Sequence, residues 1–189
     1  MTGADHIRAF VALEMPDEIR EIIRREQRHL KAELPRARWT RPEGQHLTLK
    51  FLGETPARDL NALTASIEAA VAGRPQITVS LGGSGFFPSP RRPRVAWIGG
   101  RADGGAELAA AIDNAAVAVG FPAERRPWSL HLTQARLDRG WPRVATEHFL
   151  EWGRNLDFQP FVCREVVLFA SELRAGGAVY TPLERYPLE

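Results

Sequence analysis

The chain repeats itself once at the scale of a whole lobe, which restricts it to two related copies of one mixed helix-and-strand unit. His46-Leu47-Thr48-Leu49 returns as His131-Leu132-Thr133-Gln134. With the second motif laid on the first, Ala9-Phe10-Val11-Ala12-Leu13 falls on Arg94-Val95-Ala96-Trp97-Ile98 without a gap. At the same offset Gln76-Ile77-Thr78-Val79-Ser80-Leu81 falls on Phe161-Val162-Cys163-Arg164-Glu165-Val166. Few identities survive, but the order of elements does. Only two copies exist, each far longer than a stacking unit of about 20 to 50 residues, so the repeat is a pair of lobes rather than a solenoid.

Helical patterns fill the gaps between these anchors. Asp17 to Leu34 carries Ile19, Ile22, Ile23, Leu30 and Leu34 on one stripe and is stopped by Pro35. A second helix is predicted from Pro56 to Ala72, with Thr55 as its N-cap, Leu60, Leu63, Ile67 and Val71 inward, and Gly73 as its stop. Glu107 to Val119, ending at Gly120, and Pro142 to Trp152, ending at Gly153, repeat the pair. Ala37 to Thr40, Val162 to Ala170 and Val179 to Arg185 are further strand candidates, the last preceded by the turn signal Gly176-Gly177. One domain over residues 1–189 is expected, made of interleaved halves near 7–85 and 92–171 with a final strand at 179–186.

On a strand, side chains alternate faces, so His and Thr of each motif share a face while the leucine between them enters the core. Each copy thus offers one acid/base group and one hydroxyl, and two copies meeting at one cleft would suit phosphoester cleavage. A single His-x-Thr is weak evidence; its recurrence at equivalent places in a repeat is what carries weight. By the same parity Lys50 shares the face of His46 and Thr48 and is a candidate phosphate contact. Arg136 has the wrong parity for the His131 face and reaches it only if the strand bulges.

Composition bounds the rest. Formal net charge is +2, and Lys31 and Lys50 are the only lysines, so nearly all positive charge is arginine, which suits planar phosphate contacts. Basic groups cluster at Arg91, Arg92 and Arg94, at Arg125 and Arg126, and at Arg136, Arg139 and Arg143. The small net charge argues against wrapping long duplexes and is compatible with a short basic cleft for an RNA end. Cys163, the single cysteine, excludes an internal disulfide and a multi-cysteine zinc site, and reads as buried filler. The apolar run Ile7 to Leu13 is too short to span a membrane and no signal peptide is evident, so a cytoplasmic location is expected. No apolar stripe is left over to demand a partner, and a monomer is expected. His6, His29 and His148 lack a partner motif and read as structural or surface residues.

These residues together resemble the 2H phosphoesterases, and within them the RNA 2′,3′-cyclic phosphodiesterases once called 2′-5′ RNA ligases. The likeness runs through Ile7-Arg8-Ala9-Phe10-Val11-Ala12-Leu13, Trp39-Thr40-Arg41-Pro42-Glu43, His46-Leu47-Thr48-Leu49-Lys50-Phe51-Leu52-Gly53-Glu54, Pro93-Arg94-Val95-Ala96-Trp97 and His131-Leu132-Thr133-Gln134-Ala135-Arg136. Leu130 and Gln134 depart from the family pattern, which often has proline before the histidine and an aliphatic residue at the second place.

The resemblance implies an α+β fold with two pseudo-twofold lobes, antiparallel sheets facing a central cleft and helices outside. It also implies no metal and no organic cofactor, and RNA ends or nucleotides bearing a 2′,3′-cyclic phosphate as substrates. By analogy with the family, His131 acts as proton acceptor toward water and His46 as proton donor toward the 3′ oxygen, leaving a 2′-phosphate. Reversal with a 5′-hydroxyl would make a 2′-5′ linkage. Thr48 and Thr133 can donate to the nonbridging oxygens, and Phe51, Phe86, Phe87 or Trp97 could stack on a base. Two rivals stand beside this reading. One is a noncatalytic module that binds nucleotides or RNA ends on the same fold. The other is a metal-dependent hydrolase, for which two histidines without adjacent carboxylates make a poor ligand set.

Overall fold

The computed structural model of the chain describes residues 6–174 and 177–189. It is an α+β fold of two antiparallel sheets and four helices among the described residues. The strands are β1 (His6–Leu13), β2 (Arg38–Trp39), β3 (Leu47–Pro56), β4 (Ile77–Phe87), β5 (Val95–Ala102), β6 (Leu132–Arg136), β7 (Phe161–Cys163), β8 (Glu165–Arg174) and β9 (Gly177–Pro187). The helices are α1 (Asp17–Glu33), α2 (Leu60–Val71), α3 (Gly105–Ala118) and α4 (Arg143–Arg154). One sheet runs β3-β1-β8-β9 and the other β2-β6-β5-β4-β7.

The pairing pattern is the same in both sheets. β1 lies between the motif strand β3 and β8, as β5 lies between the motif strand β6 and β4. The third strand is exchanged: β4, from the first half of the chain, joins the sheet of β5 and β6, while β8 joins that of β1 and β3. The exchange stitches the lobes into one apolar core in which Val11, Leu13 and Leu47 of one sheet meet Ile98 and Leu132 of the other. Leu47 and Leu132, the residues between His and Thr in each motif, are fully buried. Each contributes roughly 1.5–3 kcal/mol by leaving water and pins the register that presents its two polar neighbours outward.

Helices cover the outer faces. α1 inserts Ile19 and Ile23 into the main core and Leu30 into a second cluster with Phe86, Trp141 and Phe149. α2 and α3 lie side by side, joined by the Ser66 hydroxyl donating to the Ala115 carbonyl at 2.9 Å, and α4 packs on β4.

Several boundaries differ from the sequence reading. β3 continues through Thr55, paired with Ile7, to Pro56, so the second helix begins only at Leu60 after a 3₁₀ turn at Ala57–Asp59. Pairing along the length of β1 overrides the Thr-Pro start signal. Gly153 does not end α4 but lies within it, where a Cβ would sit 2.0 Å from the Ser84 Oγ; it permits close approach of α4 to β4. The expected strand at Val162 to Ala170 divides at Arg164 into β7, which pairs with β4, and β8, which pairs with β1. In the turn signal before β9, Gly176 lies outside the described residues, while Gly177 opens the strand at φ 114°.

Candidate active site

Each motif histidine stands at the threshold of its strand, His46 just before β3 and His131 just before β6. Each is fixed alike, its Nδ1 lying 2.9 Å from the carbonyl two residues back, Gly44 for His46 and Ser129 for His131. A carbonyl only accepts, so in both rings Nδ1 carries the proton and donates it, leaving Nε2 as the nitrogen available to a ligand.

The lead-in to each histidine is tied to the opposite motif strand. On the way to His131, Trp128 Nε1 donates to the Thr48 carbonyl at 2.8 Å, and Lys50 Nζ donates to the Pro122 carbonyl at 2.6 Å. On the way to His46, the Thr40 amide donates to the Gln134 carbonyl at 2.8 Å, and the Gln45 side chain donates to Gln134 Oε1 at 3.4 Å. The two imidazoles are thereby held relative to each other by reciprocal cross-links. Gln134, at the position where the family pattern has an aliphatic residue, is fully buried and also accepts from Gln27 of α1 at 3.1 Å. Its polar side chain is a fastening point beneath the site.

Both motif strands bulge at the residue after threonine. Val11 pairs with Lys50 and Ala12 with Thr48, leaving Leu49 as the extra residue; Ala96 pairs with Ala135 and Trp97 with Thr133, leaving Gln134. A bulge inverts the alternation beyond it. Lys50 is therefore not on the face of His46 and Thr48, as simple parity had it. Its side chain is 1% exposed and is ion-paired with Asp113 of α3, whose carboxylate also accepts the Glu124 amide at 3.1 Å. Phe51 takes the cleft position instead, and in the other motif the equivalent Arg136 is brought onto the cleft.

Two adjoining hollows result. The first, of about 340 Å³, gathers His46, Thr48, Phe51, Thr133 and Arg136. The second, of about 660 Å³, has His131 with Phe87, Trp128 and Arg126. Thr48 and Phe51 line both. Phe87 meets the His131 ring edge-on at 5.1 Å. Trp97 packs against Phe87 at 5.3 Å and lines neither hollow. Phe86 does not reach the cleft; it is 3% exposed and packs against Trp141 and Phe149 on the opposite face of β4.

Sequence reasoning missed Tyr180 and Arg8. Tyr180 of β9 stands edge-on to His46 at 5.0 Å and lines the first hollow, as does Arg8 of β1. Arg8 precedes Phe10 by two and so shares its face, a signal that parity could have supplied. Tyr180 is delivered by a distant strand pairing that no local pattern announces. Of the basic clusters, Arg136 and Arg126 line the hollows; Arg91, Arg92, Arg94, Arg125, Arg139 and Arg143 line neither. His148 lies on the surface 3.2 Å from Glu33, His6 and His29 are exposed, and Cys163 is buried, its thiol pushed up to about 12 by desolvation.

The surroundings of His46 are aromatic. Phe10 stacks on its ring at 4.4 Å, with Phe169 at 6.3 Å and Tyr180 at 5.0 Å. Burial among these rings lowers its pKa from 6.5 to about 4, opposed by the hydrogen bond to Gly44 and reinforced by the charges of His131, Arg20 and Arg136. His46 is thus neutral at neutral pH in the free protein. Among the described residues no group of three or more His, Cys, Asp and Glu side chains could hold a metal ion, and no helix is long and apolar enough to cross a membrane.

Comparison with known proteins gives a consistent set of relatives. The family model described as LigT-like phosphoesterase matches residues 13–97. The RNA 2′,3′-cyclic phosphodiesterase of Methanothermobacter thermautotrophicus is 30% identical, covering 96% of this chain and 99% of its own length. Those of Escherichia coli and Thermus thermophilus are each 32% identical, covering 96% of this chain and 96% and 90% of their own. Among solved structures, E. coli LigT complexed with 3′-AMP superposes with a TM-score of 0.73 at 29% identity, over 97% of this chain and 98% of that one. A protein of Thermus thermophilus superposes at 0.76 with 27% identity, over 96% and 98%.

Proposed function

The chain belongs to the LigT-like phosphoesterase family, and from that membership we propose that it is an RNA 2′,3′-cyclic phosphodiesterase working through His46 and His131. The observation that carries the reading is the matched pair of imidazoles, each with Nδ1 committed to a carbonyl two residues back and Nε2 left for chemistry. A cyclic phosphate seated between them meets one nitrogen on the side of attack and one on the side of departure. His131 takes a proton from water as its oxygen bonds to phosphorus; the bond from phosphorus to the 3′ oxygen breaks, and His46 protonates that oxygen, leaving a 2′-phosphate. His46 is neutral in the free protein, so its proton is acquired with the substrate, whose anionic phosphate beside Nε2 offsets the cost of burying the charge. Thr48 and Thr133 donate to the nonbridging oxygens, and Arg136 adds positive charge beside them. Phe51 and Phe87 offer faces for the base.

The same path in the same direction, with a 5′-hydroxyl in place of water as the group that attacks phosphorus while the 3′ oxygen leaves, joins RNA ends by a 2′-5′ bond. A monomer in the cytoplasm fits the composition. The test is a substrate panel read by phosphorus NMR. Turnover of 2′,3′-cyclic but not 3′,5′-cyclic phosphates, giving 2′-phosphate and surviving a chelator, is expected. Failure to open any 2′,3′-cyclic phosphate would overturn the proposal, and a 3′-phosphate product would exchange the roles of the leaving and retained oxygens.

A further inference from the structure

The first hollow is charged beyond what one reacting phosphate requires. Arg8 and Arg136 both line it, and among the described residues no carboxylate does. Neither arginine takes part in an ion pair or side-chain hydrogen bond among the described residues, although Glu54 lies directly opposite Arg8 in the β1–β3 ladder. Arg136 belongs to the second motif and sits near Thr133; Arg8 stands farther along β1, two residues beyond the Phe10 that stacks on His46. Tyr180 lines the same hollow, edge-on to His46, and its hydroxyl feels the charge of both arginines. Two guanidinium groups without an ion-pair partner among the described residues, in one concave site of about 340 Å³, offer seats for two phosphate oxyanions rather than one.

Resting on the phosphodiesterase reading above, we propose that Arg8, with Tyr180 beside it, binds a second phosphate, the 5′-phosphate group of the nucleotide whose cyclic phosphate reacts at His46 and His131. In an RNA end that group is the diester to the preceding nucleotide; in a free nucleotide it is a monoester. The enzyme then recognises an end that continues in the 5′ direction. A bare nucleoside 2′,3′-cyclic phosphate leaves Arg8 without its anion. Arg8 is an exposed strand residue, so its replacement leaves the core intact.

Three substrates separate the possibilities: a nucleoside 2′,3′-cyclic phosphate, the same compound carrying a 5′-phosphate, and a dinucleotide ending in the cyclic phosphate. The wild-type protein is expected to favour the second and third by about tenfold or more in kcat/KM, expressed in KM, with the preference weakening as salt is added. In Arg8→Ala the preference collapses toward one, and Arg8→Lys recovers part of it. A preference for the dinucleotide alone assigns the site to the diester; a preference for both assigns it to either form of the group. Equal kcat/KM for all three substrates in the wild-type protein would overturn the proposal, as would an Arg8→Ala loss of the same size on each. Calorimetric binding of a nucleoside 2′,5′-bisphosphate against the 2′-monophosphate asks the same question without turnover. Inactivity on every substrate would thus refute the phosphodiesterase reading while the second-phosphate site is judged on its own.

Discussion

The aromatic enclosure of His46 makes folding stability depend on pH in a way that one substitution isolates. In the unfolded chain the imidazole titrates near 6.5, and in the folded protein near 4. Above the first value both states are neutral at this residue and it contributes nothing. As pH falls through 6.5 the unfolded chain takes up the proton while the folded protein does not, so stability is lost until the folded ring also titrates near 4. At about 1.4 kcal/mol for each tenfold difference in proton affinity, the whole loss is at most about 3 kcal/mol. Solvent at the cleft mouth reduces it, and about 2 kcal/mol is expected between about pH 7 and about pH 4.5. His46→Gln removes the titration but keeps a polar side chain, and its packing cost applies equally at both pH values. Urea unfolding of both proteins at the two pH values gives the difference directly. Stability falling in parallel in both proteins, to within about 0.5 kcal/mol, would show that the ring is not desolvated by Phe10, Phe169 and Tyr180.

Lys50→Met, which keeps the length and removes the charge, is expected to destabilise the fold by about 3 kcal/mol because the Asp113 carboxylate loses its partner; a loss below about 1 kcal/mol in denaturant unfolding would mean that the pair is not structural. Gly153→Ala tests the contact of α4 with β4, since helix propensity alone would add about 1 kcal/mol of stability. The clash with Ser84 is expected to reverse that sign and cost about 1–3 kcal/mol, and a raised Tm would refute it. Phe86→Ala is expected to cost about 3–5 kcal/mol of stability with little change in KM. Phe51→Ala, at a ring 54% exposed on the cleft, should instead raise KM with under about 1 kcal/mol lost; the opposite pattern in steady-state kinetics and unfolding would exchange the two assignments.

Much of this molecule is written in local patterns. The His-x-Thr pair and the apolar stripes of α1 and α2 are features of short windows, the offset that aligns the two halves follows from them, and the structure has strands and helices around those residues. What the windows do not carry are the consequences of pairing. The bulges at Leu49 and Gln134 invert the faces of Lys50, Phe51 and Arg136, and nothing in either motif marks an extra residue. Thr55-Pro56 has the chemistry of a helix start, but Ile7 and His6 of the partner strand pair with it and claim it. Phe86 and Phe87 are indistinguishable in composition, and only the packing of α4 on one face of β4 sends one to the core and the other to the cleft. Tyr180 completes the surroundings of His46 from a strand near the far end of the chain.

The account stands on two imidazoles serving one phosphate, and turnover by the single and double histidine variants tests it most directly. With an RNA oligonucleotide ending in a 2′,3′-cyclic phosphate, His46→Ala and His131→Ala should each lower kcat by about 10²–10⁴-fold. The double variant should be little worse than either, since both act in one step, and product affinity should persist in all three. Near wild-type turnover in either single variant would contradict the account.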